Sequence, residues 1–261
     1  MINQTNISFK SYDGSSISAF LASPESYKSA VIVIHEIFGI TEYIRNVARR
    51  LASLGYLAVA PNLYSRRSDV LNESNIASVM RMFWSIPPER RSDPNAIKEL
   101  INSLSPTERI IAEELVLNRE STEERMVKDI EATFNYIKET YKPIKLGVIG
   151  FCMGGGLAFE SLTRLPFDAG VIYYGRAPRN LDAIANIKAA VLAIYAGNDP
   201  GINQGVPSLI EAVFKHGLRF EMVIYPGTRH AFATEGGPAY NEEAAKDAWE
   251  RTVNFFKKHL G

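Results

Sequence analysis

The chain has a single cysteine, and it stands among glycines in Gly150-Phe151-Cys152-Met153-Gly154-Gly155-Gly156. The apolar stretch Leu146-Gly147-Val148-Ile149 precedes it, and Leu157-Ala158-Phe159 follows with a helical pattern. A Gly-x-Cys-x-Gly turn between strand and helix is the layout of a nucleophile elbow, where glycines two before and two after the nucleophile let the two elements approach. A helix that begins just past the sulfur favours thiolate over thiol, through its dipole and its free N–H groups. Free cysteines are often inert core residues; the place in an elbow sets Cys152 apart. The stretch lacks the Gly-Lys-Ser/Thr of a phosphate loop and the first-strand position of a dinucleotide fingerprint.

An elbow nucleophile needs an acid and then a histidine, each just past a later strand. Asp199 follows the apolar run Ala190 to Tyr195 in Gly197-Asn198-Asp199-Pro200, and His230 follows Phe220 to Tyr225 in Gly227-Thr228-Arg229-His230-Ala231-Phe232. His230 would accept the thiol proton, while Asp199 would fix the imidazole tautomer and stabilise the imidazolium. Taken singly, the aspartate reads as a turn former and the histidine as a solvated loop residue. Their order and placement join them. His216 in "FKHGLRF" reads as a helix stop, His259 belongs to the charged tail, and His35, closing the run Ala30 to Ile34, is a core or supporting residue without an assigned role. Glu36 opens the loop Glu36-Ile37-Phe38-Gly39, which should carry the second oxyanion N–H, with Met153 supplying the first. A carboxylate flanked by Ile34 and Ile37 is costly to bury without a partner or a task.

The elements that must position these residues are also legible. Alternation around Asp13-Gly14 predicts an opening hairpin. The runs Ala30–Ile34, Leu57–Ala60, Leu146–Ile149, Gly170–Tyr174, Ala190–Tyr195 and Phe220–Tyr225 have the length of buried strands, with amphipathic helices between them. Tyr43, Ile44, Val47, Ala48, Leu51 and Leu54 mark one such helix, ending at Gly55. Together they predict an α/β fold: a mostly parallel central sheet with helices on both faces. From about residue 65 to 125 the sequence is charged and helical, an expected insertion that includes Met80, Met82, Phe83, Trp84 and the turn Pro87-Pro88. Ser105-Pro106-Thr107-Glu108 and Ser121-Thr122-Glu123-Glu124 each predict a capped helix start.

Composition narrows the function. The 261 residues are 46% hydrophobic and carry 29 Lys+Arg against 29 Asp+Glu, so a single domain acting on small molecules is expected, not a binder of nucleic acid or an anionic membrane. No apolar run reaches the roughly 20 residues of a membrane helix. The lone cysteine cannot form an internal disulfide and the N-terminus has no signal-peptide pattern, which predicts a cytoplasmic protein.

In order along the chain, "HEIFGI", "GYLAVAPNLY", "GFCMGGGLAF", "YYG", "GNDPG" and "GTRHAFA" resemble the dienelactone hydrolase (carboxymethylenebutenolidase) family of the α/β-hydrolase superfamily. The resemblance covers most of the chain outside the helical insertion. It implies a Cys152, His230, Asp199 triad, oxyanion donors at Ile37 and Met153, and a Glu36 that interacts with the resting thiol. It also implies hydrolysis of an unsaturated lactone bearing a carboxylate, dienelactone to maleylacetate, with no cofactor and no metal. Family members acting on dienelactone hold its carboxylate with arginines, one of them shortly after the catalytic histidine. This chain has Thr234 there, and Arg176 and the pair Arg66-Arg67 are the candidate replacements. A short-chain carboxylesterase, a thioesterase and a catalytically silent binding protein on the same scaffold share these residues. A thiol redox sensor would lack an internal resolving cysteine.

Overall fold

In the computed structural model, residues 1–91 and 93–261 are described. Ser92, within the expected insertion, lies outside the described residues, as does the side chain of Pro88 in the expected Pro87-Pro88 turn.

Strands β1 (Asn3–Lys10) and β2 (Ser16–Ser23) form the expected hairpin. Its turn is closed by Asp13, whose carboxylate accepts the Ser15 N–H, and by Gly14 at φ 81°, a left-handed conformation that glycine adopts without steric cost. β3 (Ser29–Ile34), β4 (Leu57–Pro61), β5 (Lys145–Phe151), β6 (Ala169–Tyr173), β7 (Ala190–Asn198) and β8 (Phe220–Arg229) complete one sheet in the order β1-β2-β4-β3-β5-β6-β7-β8. β1 and β2 run antiparallel and β4 onward are mutually parallel.

Parallel strands covered on both faces need apolar residues at every position, because alternate side chains point to opposite layers. In β3, Ala30, Ile32 and Ile34 enter one core while Val31 and Val33 enter the other. Helices α1 (Glu42–Ser53) and α9 (Glu242–Leu260) cover the second face, through Ile44, Val47, Leu51, Ala248, Phe255 and Phe256. The first face is covered by α2 (Glu73–Ser85), α4 (Pro106–Ala112), α5 (Arg119–Thr140), α6 (Met153–Leu162) and α8 (Val206–His216). α3 (Pro94–Ser103) stands between α2 and α4, and the short α7 (Pro200–Asn203) follows β7. His216 does end a helix, with Gly217 at φ 64° as its cap.

Two sequence expectations need correction. Ser105 caps α4 with the full reciprocal box, but Ser121 starts nothing: α5 begins at Arg119, after the π-helical turn Glu113–Leu117. The Ser121 hydroxyl instead donates to the Asn118 carbonyl, and the carboxylate of Glu124, the residue that would close the box, is taken up by Arg164. The chain reaches Ser121 already helical, so no free N–H groups remain there to cap. The run Phe220–Tyr225 is a strand but not a buried one. β8 is the sheet edge, pairs only with β7, and leaves Met222 and Ile224 exposed.

Candidate active site

The candidate side chains gather where the parallel strands end, the usual ligand position in an open α/β sheet. Cys152 follows β5, Glu36 follows β3, Asp199 follows β7 and His230 follows β8. Cys152 has φ 56° and ψ −119° and is the N-cap of α6. Two glycines make that turn possible. A Cβ on Gly150 would lie 2.0 Å from the Gly154 carbonyl oxygen, and one on Gly154 would lie 2.4 Å from the His35 carbonyl oxygen. Tyr174, at φ 38°, and Ala231, at φ 64°, are also left-handed, so among the described residues three of the four non-glycine residues with positive φ stand at this site. Backbone strain of this kind collects where a fold fixes functional groups.

His230 Nδ1 lies 2.5 Å from Asp199 Oδ2, and the Tyr174 ring packs 5.1 Å from the imidazole. Burial pulls the His230 pKa down, but the Asp199 hydrogen bond and the neighbouring Cys152 sulfur outweigh it and raise the pKa to about 10. The arrangement thus favours imidazolium beside sulfur.

Glu36 is 4% exposed. Its Oε1 accepts a 2.7 Å hydrogen bond from the Thr234 hydroxyl, which lies 3.3 Å from the Tyr174 hydroxyl. Burial pushes the Glu36 pKa up, while Thr234 and the charge of His230 pull against it. Among the described residues the Glu36 carboxylate is bonded to Thr234 and not to Cys152. Thr234, noted in the sequence only as a missing arginine, is thus a partner of Glu36. The Ile37 and Met153 N–H groups have no hydrogen-bond acceptor among the described residues, as oxyanion donors require.

The candidate cations fare differently. Arg66 is bound by Asp13 of the hairpin turn and by Asp129 of α5, so its charge is already paired. Arg176 follows β6 and packs at Gly156, but its guanidinium binds Glu123, which also binds Arg119 and Arg179. Phe38, in the loop after β3, meets Trp84 of α2 edge-on at 6.1 Å, so α2 reaches that loop. Among the described residues no three His, Cys, Asp or Glu side chains form a metal-ligating group. Among the described residues no helix is long and apolar enough to cross a membrane.

A mostly parallel sheet with a strained elbow after its central strand, and an acid and a histidine after later strands, defines an α/β hydrolase. The model of the dienelactone hydrolase family matches residues 17–260, and the chain belongs to that family. A Saccharolobus solfataricus protein bearing the name carboxymethylenebutenolidase is 49% identical over 250 residues, covering 96% of this chain and 97% of its own. One of the same name from Methylorubrum extorquens is 31% identical over 88% of this chain and 72% of its own. A Klebsiella pneumoniae crystal structure described as a dienelactone hydrolase superposes with a TM-score of 0.74 at 26% identity, over 99% of this chain and 100% of that one. The chain is thus a hydrolase of a family that acts on small molecules.

Proposed function

We propose that this protein is a single α/β-hydrolase domain that opens small lactones or esters through a thioester on Cys152. The observation that carries the reading is the left-handed Cys152 at the N-cap of α6, close enough to a His230–Asp199 pair to raise the imidazole pKa. The sulfur attacks the carbonyl carbon, forming the C–S bond and moving an electron pair onto oxygen, where the Ile37 and Met153 N–H groups receive it. As the oxyanion collapses the C–O bond breaks, and His230 protonates the departing alkoxide. For a lactone that alcohol stays tethered to the acyl group. Water, deprotonated by His230, then attacks the thioester carbon and releases carboxylate and thiol. Glu36 tunes the sulfur between turnovers, since a carboxylate nearby disfavours thiolate.

The helices of the insertion cover the site and select substrate size, through Trp84 against Phe38. Trp84→Ala should admit bulkier acyl groups without loss of Cys152 reactivity. A free thiol nucleophile suits a reducing, cytoplasmic setting. Active-site titration with a p-nitrophenyl ester tests the reading: a burst of one p-nitrophenolate per chain is expected, and no burst in Cys152→Ala. A silent binding protein would give none in either.

A further inference from the structure

His35 is fully buried, and both of its ring nitrogens are engaged with backbone. Nε2 lies 3.2 Å from the Leu63 nitrogen. A backbone N–H can only donate, so Nε2 accepts and the ring proton sits on Nδ1. Nδ1 then donates to the Glu36 carbonyl at 2.6 Å. The neighbouring carbonyl is held as well: the Tyr64 hydroxyl donates to the Ile37 oxygen at 2.6 Å. Tyr64 packs its ring 5.0 Å from that of His35, and Gly39, at φ 83°, lies against the same tyrosine. His35 comes from the end of β3, whereas Leu63 and Tyr64 come from the segment after β4.

The Glu36 carbonyl and the Ile37 N–H belong to one planar trans peptide and point in opposite directions. Whatever fixes the carbonyl also aims the N–H. From this geometry we infer that His35 and Tyr64 form a clamp on Ile37: His35 aims the Ile37 N–H through the Glu36 carbonyl, and Tyr64 holds the peptide that follows, so that Ile37 is fixed from both sides and both are positioning residues for oxyanion stabilisation. The Gly39 N–H also donates to the Glu36 oxygen, at 3.1 Å, but it belongs to the same loop and moves with it. The His35 and Leu63 pair ties the loop to the segment after β4. The clamp rests on the proposed use of Ile37 as an oxyanion donor.

The test compares two reactions of the same sulfur. Acylation by p-nitrophenyl acetate builds an oxyanion, whereas alkylation by iodoacetamide displaces iodide at a saturated carbon and builds none. His35→Leu and Tyr64→Phe should slow the acylation burst by roughly 10-fold to 100-fold, below the loss of a whole oxyanion donor. Their alkylation rates should stay at the wild-type value. His35→Asn, whose amide N–H can reach the Glu36 carbonyl, should recover most of the His35→Leu loss. Equal slowing of both reactions, or no slowing of acylation in Tyr64→Phe, overturns the clamp. Failure of the wild type to acylate at Cys152 would instead overturn the proposed nucleophile, so the two failures are distinguishable.

Discussion

Asp199 Oδ2 stands 2.5 Å from His230 Nδ1, although the two residues come from loops after different strands. That bond leaves Nε2 as the nitrogen available to exchange a proton with sulfur and substrate. Asp199→Asn keeps the shape but loses the charge, and kcat should fall by about 10²-fold to 10⁴-fold. Cys152→Ala, His230→Ala and their double variant should lose turnover to similar extents, because groups acting as a unit give non-additive losses. Near-normal turnover in His230→Ala would remove it as the base.

The same bond carries a pH signature in stability. The folded pKa of His230, about 10, lies above its ordinary value of 6.5. A raised histidine pKa stabilises the fold fully below about pH 6.5, and that contribution is lost as pH rises through about 10. The gap in urea midpoint between wild type and His230→Gln should therefore shrink steadily from pH 6.5 to 10. A constant gap would mean that the imidazolium is not favoured by folding.

Glu36 and Cys152 draw on the same imidazolium. Removing the carboxylate charge in Glu36→Gln should move the iodoacetamide alkylation profile to lower pH and speed inactivation by peroxide, because the thiolate is then unopposed. Unchanged behaviour in both assays would return Glu36 to a purely structural place in the loop.

Glu123 is almost fully buried among Arg119, Arg176 and Arg179. Burial opposes its ionisation, but the charges of Arg119 and Arg176 and the hydrogen bonds from Arg119 and Arg179 outweigh that and lower its pKa from 4.5 to about 2. A depressed carboxylate pKa stabilises above the unfolded value and is lost as pH falls through the folded one. Glu123→Gln should cost about 3 kcal/mol at pH 7, with the difference closing between about pH 4.5 and 2. Denaturant unfolding at pH 7 and pH 3 checks it.

What was legible in the sequence were features written over a few consecutive residues. Apolar runs gave the strands, the glycines around Cys152 gave the elbow, and the order of Asp199 and His230 gave their partnership. Contacts that cross between elements left no such mark. The bonds of Thr234 to Glu36 and of His35 to Leu63 join strand ends distant in the chain, so neither residue could be assigned a role from its neighbours alone. The Ser121–Glu124 match misled because capping depends on whether the preceding backbone is already helical, which four residues do not record. β8 looks like an inner strand in its apolar content, and only the sheet order makes it an edge.

In the proposed mechanism the reaction passes through sulfur. Mass spectrometry of the intact protein, acid-quenched shortly after mixing with a small ester or lactone, followed by peptide mapping, measures this directly. Covalent catalysis at Cys152 predicts one acyl mass on the Cys152 peptide, decaying at the turnover rate and missing from Cys152→Ala. Continued turnover of the same substrate by Cys152→Ala, with no acyl group found on the wild-type cysteine, would contradict it.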